Sequence, residues 1–139
     1  MTLAQLIAEV GELRPHQYGT DHLTAWVNEI EARAVREVIN RACGNDVEWT
    51  PYTYDQDADK TLQIPDEHKA VYETYLFARI DYTNGEIERY NADAAMQDSA
   101  WHDYAAWYRR EHRPKSYEIA YAKCPDPEGT GCCEHIFWA

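Results

Sequence analysis

The sequence has few basic residues and no long apolar run. Its 13 Lys and Arg face 25 Asp and Glu, which gives a formal net charge of −12. Tight binding of DNA needs clustered cations at the phosphates, so this composition argues against it, and the acidic surplus favours solubility. No apolar run approaches the ~18 residues that a membrane-spanning helix needs, so we expect no membrane association.

The N-terminal stretch also lacks the features of an export signal. No basic region precedes its apolar residues, and Glu9 and Glu12 fall inside the apolar pattern. A secretory signal peptide needs a basic region followed by an uninterrupted apolar region. We therefore expect an intracellular product, in which the four cysteines do not form a disulfide framework.

Catalytic signatures are missing as well. The sequence contains no phosphate-binding glycine loop, no nucleophile elbow and no His-Glu-x-x-His. It also lacks the Glu-x-x-His that a di-iron helical bundle uses. We expect no enzymatic activity, no catalytic residue and no cofactor.

The C-terminal cysteines offer a weak metal site. Cys124, Cys132, Cys133 and His135 form a C-x7-C-C-x-H pattern. Thiolates and imidazole suit zinc, but structural zinc sites normally use C-x2-4-C pairs, which this pattern lacks. The sequence therefore favours free thiols, with these four residues as weak zinc candidates.

An acidic run offers a second weak metal site. Asp55, Asp57 and Asp59 alternate as carboxylates do at the start of a calcium loop. Lys60 stands where such a loop has its turn glycine, and Asp66 stands where it has a bidentate Glu. A solvated acidic loop is favoured over a calcium site.

Helical periodicity dominates the first part of the chain. A stripe of apolar residues from Leu3 to Leu13 predicts a first helix that Thr2 caps and Pro15 stops. A second helix should begin at a cap on Thr20 or Asp21 and end near Ala42, with Gly44 as its stop. Its apolar face is formed by Leu23, Trp26, Val27, Ile30, Ala34 and Val38, and is widened by Val35 and Ile39.

Two further helices are predicted after Pro65. Asp66 should cap the third helix, which we expect to run to about Tyr90 and to break near Asn91. Asn84-Gly85 falls inside this pattern, either as its end or as a weak point that costs about 1 kcal/mol relative to alanine. The fourth helix should run from about Ala92 to Pro114. Its predicted face comprises Ala94, Met96, Ala100, Trp101, Tyr104, Ala105 and Tyr108.

Between the second and third helices lies a long loop, residues 45–65. It is irregular or weakly β, with aromatic residues alternating loosely around Pro51. Connections of this length are uncommon in small domains and often bind partners. Trp49, Tyr52 and Tyr54 are therefore candidate interface residues.

The end of the fourth helix and the tail contain the other candidate interface residues. Tryptophan and arginine are enriched at protein interfaces. They occur together in the only basic cluster, and an apolar group lies near the end of the sequence. The candidates are Trp107, Arg109, Arg110, Arg113 and Lys115, followed by Ile136, Phe137 and Trp138.

The predicted fold is all-α. It is a small bundle of about four helices, with a long, partly extended loop between helices 2 and 3 and an extended C-terminal tail. Residues 1–115 would form the helical domain. Residues 116–139, which include prolines and glycines without a clean period, would form the tail.

Several short motifs resemble a phage protein family. They are Ile80-Asp81-Tyr82 with Asn84-Gly85-Glu86, Tyr90-Asn91, and Trp107-Tyr108-Arg109-Arg110 leading to His112-Arg113-Pro114-Lys115. The front half adds Pro15, Tyr18, the LTAWVNEIEARAVREVI segment and Ile64-Pro65. Over about residues 3–115 the chain resembles the small head–tail connector proteins of long-tailed phages, also called adaptor or head-completion proteins. The cysteine-bearing tail departs from the family pattern.

The resemblance implies a structural virion protein. Such subunits assemble under the portal into a ring, typically of about twelve copies, that joins capsid to tail and lines the DNA passage. The implied partners are the portal protein and a neck or tail-completion protein, and the implied location is the virion neck, after synthesis in the host cytoplasm. DNA would pass an acidic lumen without specific binding.

Two other functions stay open at this point. One is a soluble helical interaction module or phage regulator, which would act as a monomer or dimer. The other is a zinc-stabilised module that uses the C-terminal cysteines.

Overall fold

Helices form nearly all of the regular structure. The computed structural model of the protein describes residues 1–42 and 45–112. The helices are α1 (Leu3–Leu13), α2 (Thr20–Ala34), α3 (Tyr54–Asp57), α4 (Ala70–Asn84) and α5 (Ile87–Glu111). A π-helical turn, Val35–Ile39, extends α2, and a 3-10 turn, Asp66–His68, precedes α4. The predicted all-α class is confirmed, with the one-turn α3 as an addition.

The first helix begins and ends where the sequence predicts. The Thr2 hydroxyl accepts a hydrogen bond from the Gln5 backbone at 3.3 Å, and the Gln5 side chain accepts one from the Thr2 backbone at 3.1 Å. This capping box satisfies two amides that the helix itself leaves free. The helix ends at Leu13, two residues before Pro15.

The second helix differs from its prediction at both ends. Gly19 occupies the N-cap position, so the predicted cap at Thr20 or Asp21 is wrong. The last turn widens into the π-turn and ends at Ile39, short of Ala42. The Asn40 side chain then exchanges two hydrogen bonds with the Val47 backbone, at 2.8 and 3.2 Å, and so holds the chain as it turns away. The predicted stop, Gly44, lies outside the described residues.

Residues 45–65, which we call the linker, form no strand in the described structure. The predicted weak β character is reduced to one isolated bridge between Thr2 and Thr61. The Leu62 amide donates to the Met1 carbonyl at 3.0 Å, and the Ala4 amide donates to the Ala58 carbonyl at 2.9 Å. These bonds fix the second half of the linker against the start of α1.

The turn between α4 and α5 lies earlier than predicted. Gly85 has a φ of 78°, and its amide bonds back to the last turn of α4. Side chains other than glycine adopt this left-handed conformation at a cost, so Gly85 ends the helix. The expected continuation to Tyr90 and the break near Asn91 are wrong, because both residues lie inside α5.

Contacts from the α1–α2 connection stabilise this turn. The Asn84 side-chain oxygen accepts hydrogen bonds from the Tyr18 hydroxyl at 2.6 Å and from the Gln17 amide at 3.0 Å.

The start of α4 is also shifted from its prediction. Asp66 belongs to the separate 3-10 turn, so it is not the N-cap of α4.

The inward face of α5 contains polar residues that the apolar pattern does not predict. Trp101, Tyr104 and Ala105 are buried as expected, but Asp93 and Gln97 are buried too. Gln97 accepts a hydrogen bond from the Thr74 hydroxyl of α4 at 2.7 Å. Met96, predicted on the apolar face, is 61% exposed, so that assignment is wrong.

Candidate interaction surfaces

A buried carboxylate holds the linker in place. Glu31 of α2 is completely buried in the bundle. It accepts hydrogen bonds from Trp49 Nε1 at 3.1 Å, the Tyr52 hydroxyl at 2.7 Å, the Gln63 amide at 2.8 Å and the Tyr72 hydroxyl. Two carboxylate oxygens have about four acceptor positions, so these donors satisfy the group. One side chain thus connects both halves of the linker to α2 and α4.

The tyrosines around Glu31 act as permanent donors. Burial raises the pKa of the Tyr72 hydroxyl, and the Glu31 carboxylate raises it further. Burial and then the hydrogen bond to Glu31 raise the pKa of Tyr52 in the same direction. The Tyr72 hydroxyl also accepts from the Ile64 amide at 3.0 Å. Because both tyrosines stay protonated near neutral pH, the linker remains bound to Glu31.

The linker aromatics therefore have partners within the subunit. Tyr52 is 8% exposed, and its ring lies 5.8 Å from that of the half-buried Trp49 in an edge-on contact. Tyr54 is half-buried against the core. Their predicted contact with a partner stays a prediction, and Tyr52 has little free surface for it.

The C-terminal half of α5 is aromatic but more open. Trp107 is half-buried, with its ring 4.9 Å from His68 and 6.2 Å from Tyr104. Tyr108 stacks on His112 at 3.9 Å. These side chains cover the end of the core and still present part of their rings to solvent.

A groove lies beside these aromatics, between the end of α2 and the second half of α5. It has a volume of about 650 Å³. Its floor is apolar and its rim mostly basic, and we call it the basic groove. The floor comprises Val38, Ala42, Trp101 and Ala105, and the rim comprises Glu37, Arg41, His102, Arg109 and His112.

Cations surround the floor of the basic groove. The Arg33 guanidinium lies 4.1 Å from the centre of the Trp101 ring, a cation–π contact that holds the ring in place. Arg109 and the neighbouring Arg110 are exposed at the end of α5. Several other candidate residues lie outside the described residues. They are the predicted interface residues Arg113, Lys115, Ile136, Phe137 and Trp138, and the weak zinc candidates Cys124, Cys132, Cys133 and His135.

The opposite end of α5 contains a second buried charge cluster. Arg14 lies 2.5 Å from a carboxylate oxygen of Asp81 and 2.5 Å from one of Asp93. Its guanidinium stacks over Phe77 at 4.4 Å. Burial and the adjacent Asp93 raise the pKa of Asp81 to about 6, against the attraction of Arg14. One arginine thus holds two carboxylates that compete for it.

Exposed apolar side chains lie at this same end, and we call them the hairpin-end patch. Leu13 is 60% exposed, Tyr82 is 65% exposed and Ile87 is 70% exposed. Tyr82 packs partly against Tyr90, with ring centres 5.3 Å apart. A partner that covers these side chains would remove apolar surface from water.

The described residues can be checked for clusters of metal-ligating side chains. Among residues 1–42 and 45–112, no group of three or more His, Cys, Asp or Glu side chains could hold an ion. Asp57 of the acidic run accepts from the Thr53 amide at 2.9 Å and pairs with Lys60 at 3.0 Å, and both contacts lower its pKa. None of the helices described in residues 1–42 and 45–112 combines the length and the apolar character of a membrane span.

Comparison with known proteins adds no relative. A scan against protein-family models and searches of the curated proteins and of the solved structures found no match to this chain. Inference about function therefore depends on the surfaces described above and on the sequence motifs.

Two features of these sites escaped sequence reasoning. Glu31 lies on the apolar stripe of α2, four residues after Val27, and a charge at such a position signals a buried carboxylate. Arg14 follows α1 and meets Asp81 and Asp93 from far along the sequence, with no local pattern to indicate the contact.

Proposed function

We propose that this chain is a head–tail connector subunit of a tailed phage. In this function it forms a ring under the portal, joins capsid to tail and has no enzymatic activity. The proposal is supported by the motifs that resemble the connector family over residues 3–115. An all-α bundle of this size is consistent with it.

The observation that carries the proposal is the presence of two unlike surfaces at the two ends of α5. The hairpin end exposes the apolar side chains Leu13, Tyr82 and Ile87, and the far end has the basic groove with Arg109 and Arg110. Ile87 and Arg109 are 22 residues apart on one helix, which corresponds to about 33 Å. Contacts between unlike surfaces are head-to-tail, and they close into a ring when the rotation between successive subunits closes.

The acidic charge suits a subunit that surrounds DNA. A ring of chains with a net charge of −12 would present a negative passage, which DNA crosses without binding. This part of the proposal requires acidic residues to face the lumen. A structure of the assembled ring with a neutral or basic lumen would contradict it.

The partners in this proposal are the portal protein and a neck or tail-completion protein, with residues 116–139 contributing to docking on the portal. Deletion of residues 116–139 should leave a folded domain that no longer docks on the portal. Unaltered docking of the truncated chain would refute this role of the tail.

Mixing the full chain with a portal protein from the same phage tests the function. We expect light scattering to show a complex with several copies of this chain per portal ring. The double variant Tyr82→Ser with Ile87→Ser should lose the complex, because it removes the apolar side chains of the hairpin-end patch. The control, Met96→Ser, removes an equally exposed side chain outside that patch and should retain it.

The opposite result would favour another function. A chain that stays a monomer or dimer in the presence of the portal protein contradicts the connector proposal. That result would support the alternative function, a soluble helical interaction module. For such a module the basic groove is the most suitable binding surface.

A further inference from the structure

We propose that the basic groove binds a segment of the same chain, residues 134–138, in the free subunit. This segment reads Glu134-His135-Ile136-Phe137-Trp138. The inference does not depend on the connector function, since it concerns the isolated chain. It gives the apolar end of the tail a specific binding site.

The groove has the size and the lining that such a segment needs. Its volume of about 650 Å³ lies within the ~300–1,000 Å³ range of sites that bury small ligands, which is room for two or three large side chains. Val38, Ala42, Trp101 and Ala105 form an apolar floor. Aromatic and branched side chains gain most from burial on such a floor.

Charge also favours this occupant. The whole chain has a net charge of −12, yet the rim of the groove has Arg41 and Arg109 against the single acid Glu37. His102 and His112 add donors to the same rim. In the proposed segment, Glu134 precedes the three apolar anchors by only two residues. A carboxylate beside aromatic residues complements a basic rim around an apolar floor.

The chain reaches the groove easily. His112, at the end of α5, is itself part of the rim, and residues 113–135 separate it from Ile136. Twenty-three residues form this connection, and at up to ~3.3 Å per residue they are more than long enough to return Ile136 to a groove whose rim includes His112. Pro125, Pro127, Gly129 and Gly131 are residue types that favour turns.

Covalent attachment favours binding of the segment to the groove of its own chain over binding to the groove of a second copy. Because the segment is covalently attached to its own groove, its effective concentration there is on the order of millimolar. A second copy at micromolar concentration competes poorly with it. The groove of a free subunit is therefore occupied by its own tail, which would have to leave or to exchange between subunits before another partner binds there.

Hydroxyl-radical footprinting of the full chain, read by mass spectrometry, tests the proposal. We expect low oxidation of His102 and His112 in the native chain and a several-fold increase in the variant Phe137→Ala with Trp138→Ala. The control, Tyr117→Ala with Tyr121→Ala, removes two other aromatics of the tail and should leave both histidines protected. A reciprocal variant, Arg41→Glu with Arg109→Glu, should increase the oxidation of Trp138.

Each outcome decides the matter. Protection that is independent of protein concentration, in a chain with monomeric mass, supports docking within one chain. Protection that grows with concentration together with dimer formation overturns the same-chain assignment in favour of a second copy. Equal oxidation of His102 and His112 in the native chain and in the Phe137, Trp138 variant overturns docking altogether.

Discussion

The linker and the C-terminal half of α5 have similar aromatic residues in different surroundings. In the linker, Trp49 and Tyr52 donate to one buried carboxylate, Glu31, and Tyr52 is closed into the subunit. At the end of α5, Trp107 and Tyr108 remain half-exposed beside a basic groove. The difference teaches that residue type alone does not decide how deeply an aromatic is buried. The buried acceptor Glu31 explains why Tyr52 is enclosed.

Substitution of Glu31 should have the largest effect on stability, because Glu31 is the acceptor that binds the linker aromatics. Glu31→Gln keeps the shape but replaces one acceptor oxygen by a donor, so two of the four groups that donate to Glu31 lose their acceptor. Loss of a partner in a buried charged network costs about 3–5 kcal/mol, and we expect an effect of that order on the free energy of unfolding. Urea denaturation measures it.

The matched control for that experiment is Glu29→Gln, two residues away on the same helix. Glu29 accepts from the Tyr75 hydroxyl at 2.6 Å, but its side chain is partly exposed. Its loss should cost less than about 1 kcal/mol. Equal costs for the two variants would show that Glu31 does not hold the linker.

A smaller change tests a single donor of the linker. Tyr52→Phe removes one hydroxyl from Glu31 and leaves the ring in place. Hydrogen bonds to charged groups contribute about 1.5–3 kcal/mol, so the unfolding free energy should fall by about 2 kcal/mol. Tyr54→Phe, at a half-buried tyrosine of the same linker, should change it by less than about 0.5 kcal/mol. The reverse order in urea denaturation would argue against the role of Glu31 as acceptor.

The turn at Gly85 sets the position of α5, and with it the aromatics at its far end. Gly85→Ala must hold a φ of 78° with a side chain, which costs about 1–2 kcal/mol. Gly11→Ala provides a control of opposite sign. This glycine lies inside α1 with room for a methyl group, so alanine should stabilise by about 0.5–1 kcal/mol. We expect thermal unfolding to show a lower melting temperature for Gly85→Ala and a higher one for Gly11→Ala. Shifts of both melting temperatures in the same direction would contradict this interpretation.

The buried carboxylates Glu31 and Asp81 differ in how fully their hydrogen-bond partners satisfy them. Glu31 has its own set of donors, whereas Asp81 shares Arg14 with Asp93. The pKa of Asp81 is raised to about 6, so the folded chain binds a proton that the unfolded chain binds only near pH 4. Stability from this group is therefore present at low pH and is lost as pH rises through about 6.

We expect the chain to gain on the order of 1 kcal/mol when pH falls from 7 to 5. Asp81→Asn should remove most of this dependence, because the amide has no proton to gain. Urea denaturation at both pH values measures the change. A native chain that is equally stable at the two values, or an unchanged slope in the variant, would contradict the assignment to Asp81.

Local patterns predicted the elements better than their connections. The Thr2 cap and Pro15 predicted the bounds of α1, and the helical period predicted the apolar residues of the buried face of α2. The turn at Gly85 was misplaced, because the apolar pattern continues past it and only the left-handed backbone ends the helix. Asp93 and Gln97 were missed, because their partners Arg14 and Thr74 are distant in sequence.

The candidate surfaces were predictable only in part. Arg109 and Arg110 are exposed at the end of α5, as their charge suggests. The burial of Tyr52 was not predictable, because its acceptor lies 21 residues earlier in the chain. The basic groove joins residues of α2 and α5, and no local pattern of either helix indicates it.

Binding to the portal protein tests most directly whether the end of α5, rather than the linker, meets the partner. The variant Arg109→Glu with Arg110→Glu reverses charge at the end of α5, and Lys60→Glu reverses an exposed charge in the linker. Light scattering of each full chain mixed with portal protein should show complex formation with Lys60→Glu and none with the arginine variant. Retained binding by the arginine variant would contradict the central claim, whatever the result with Lys60→Glu.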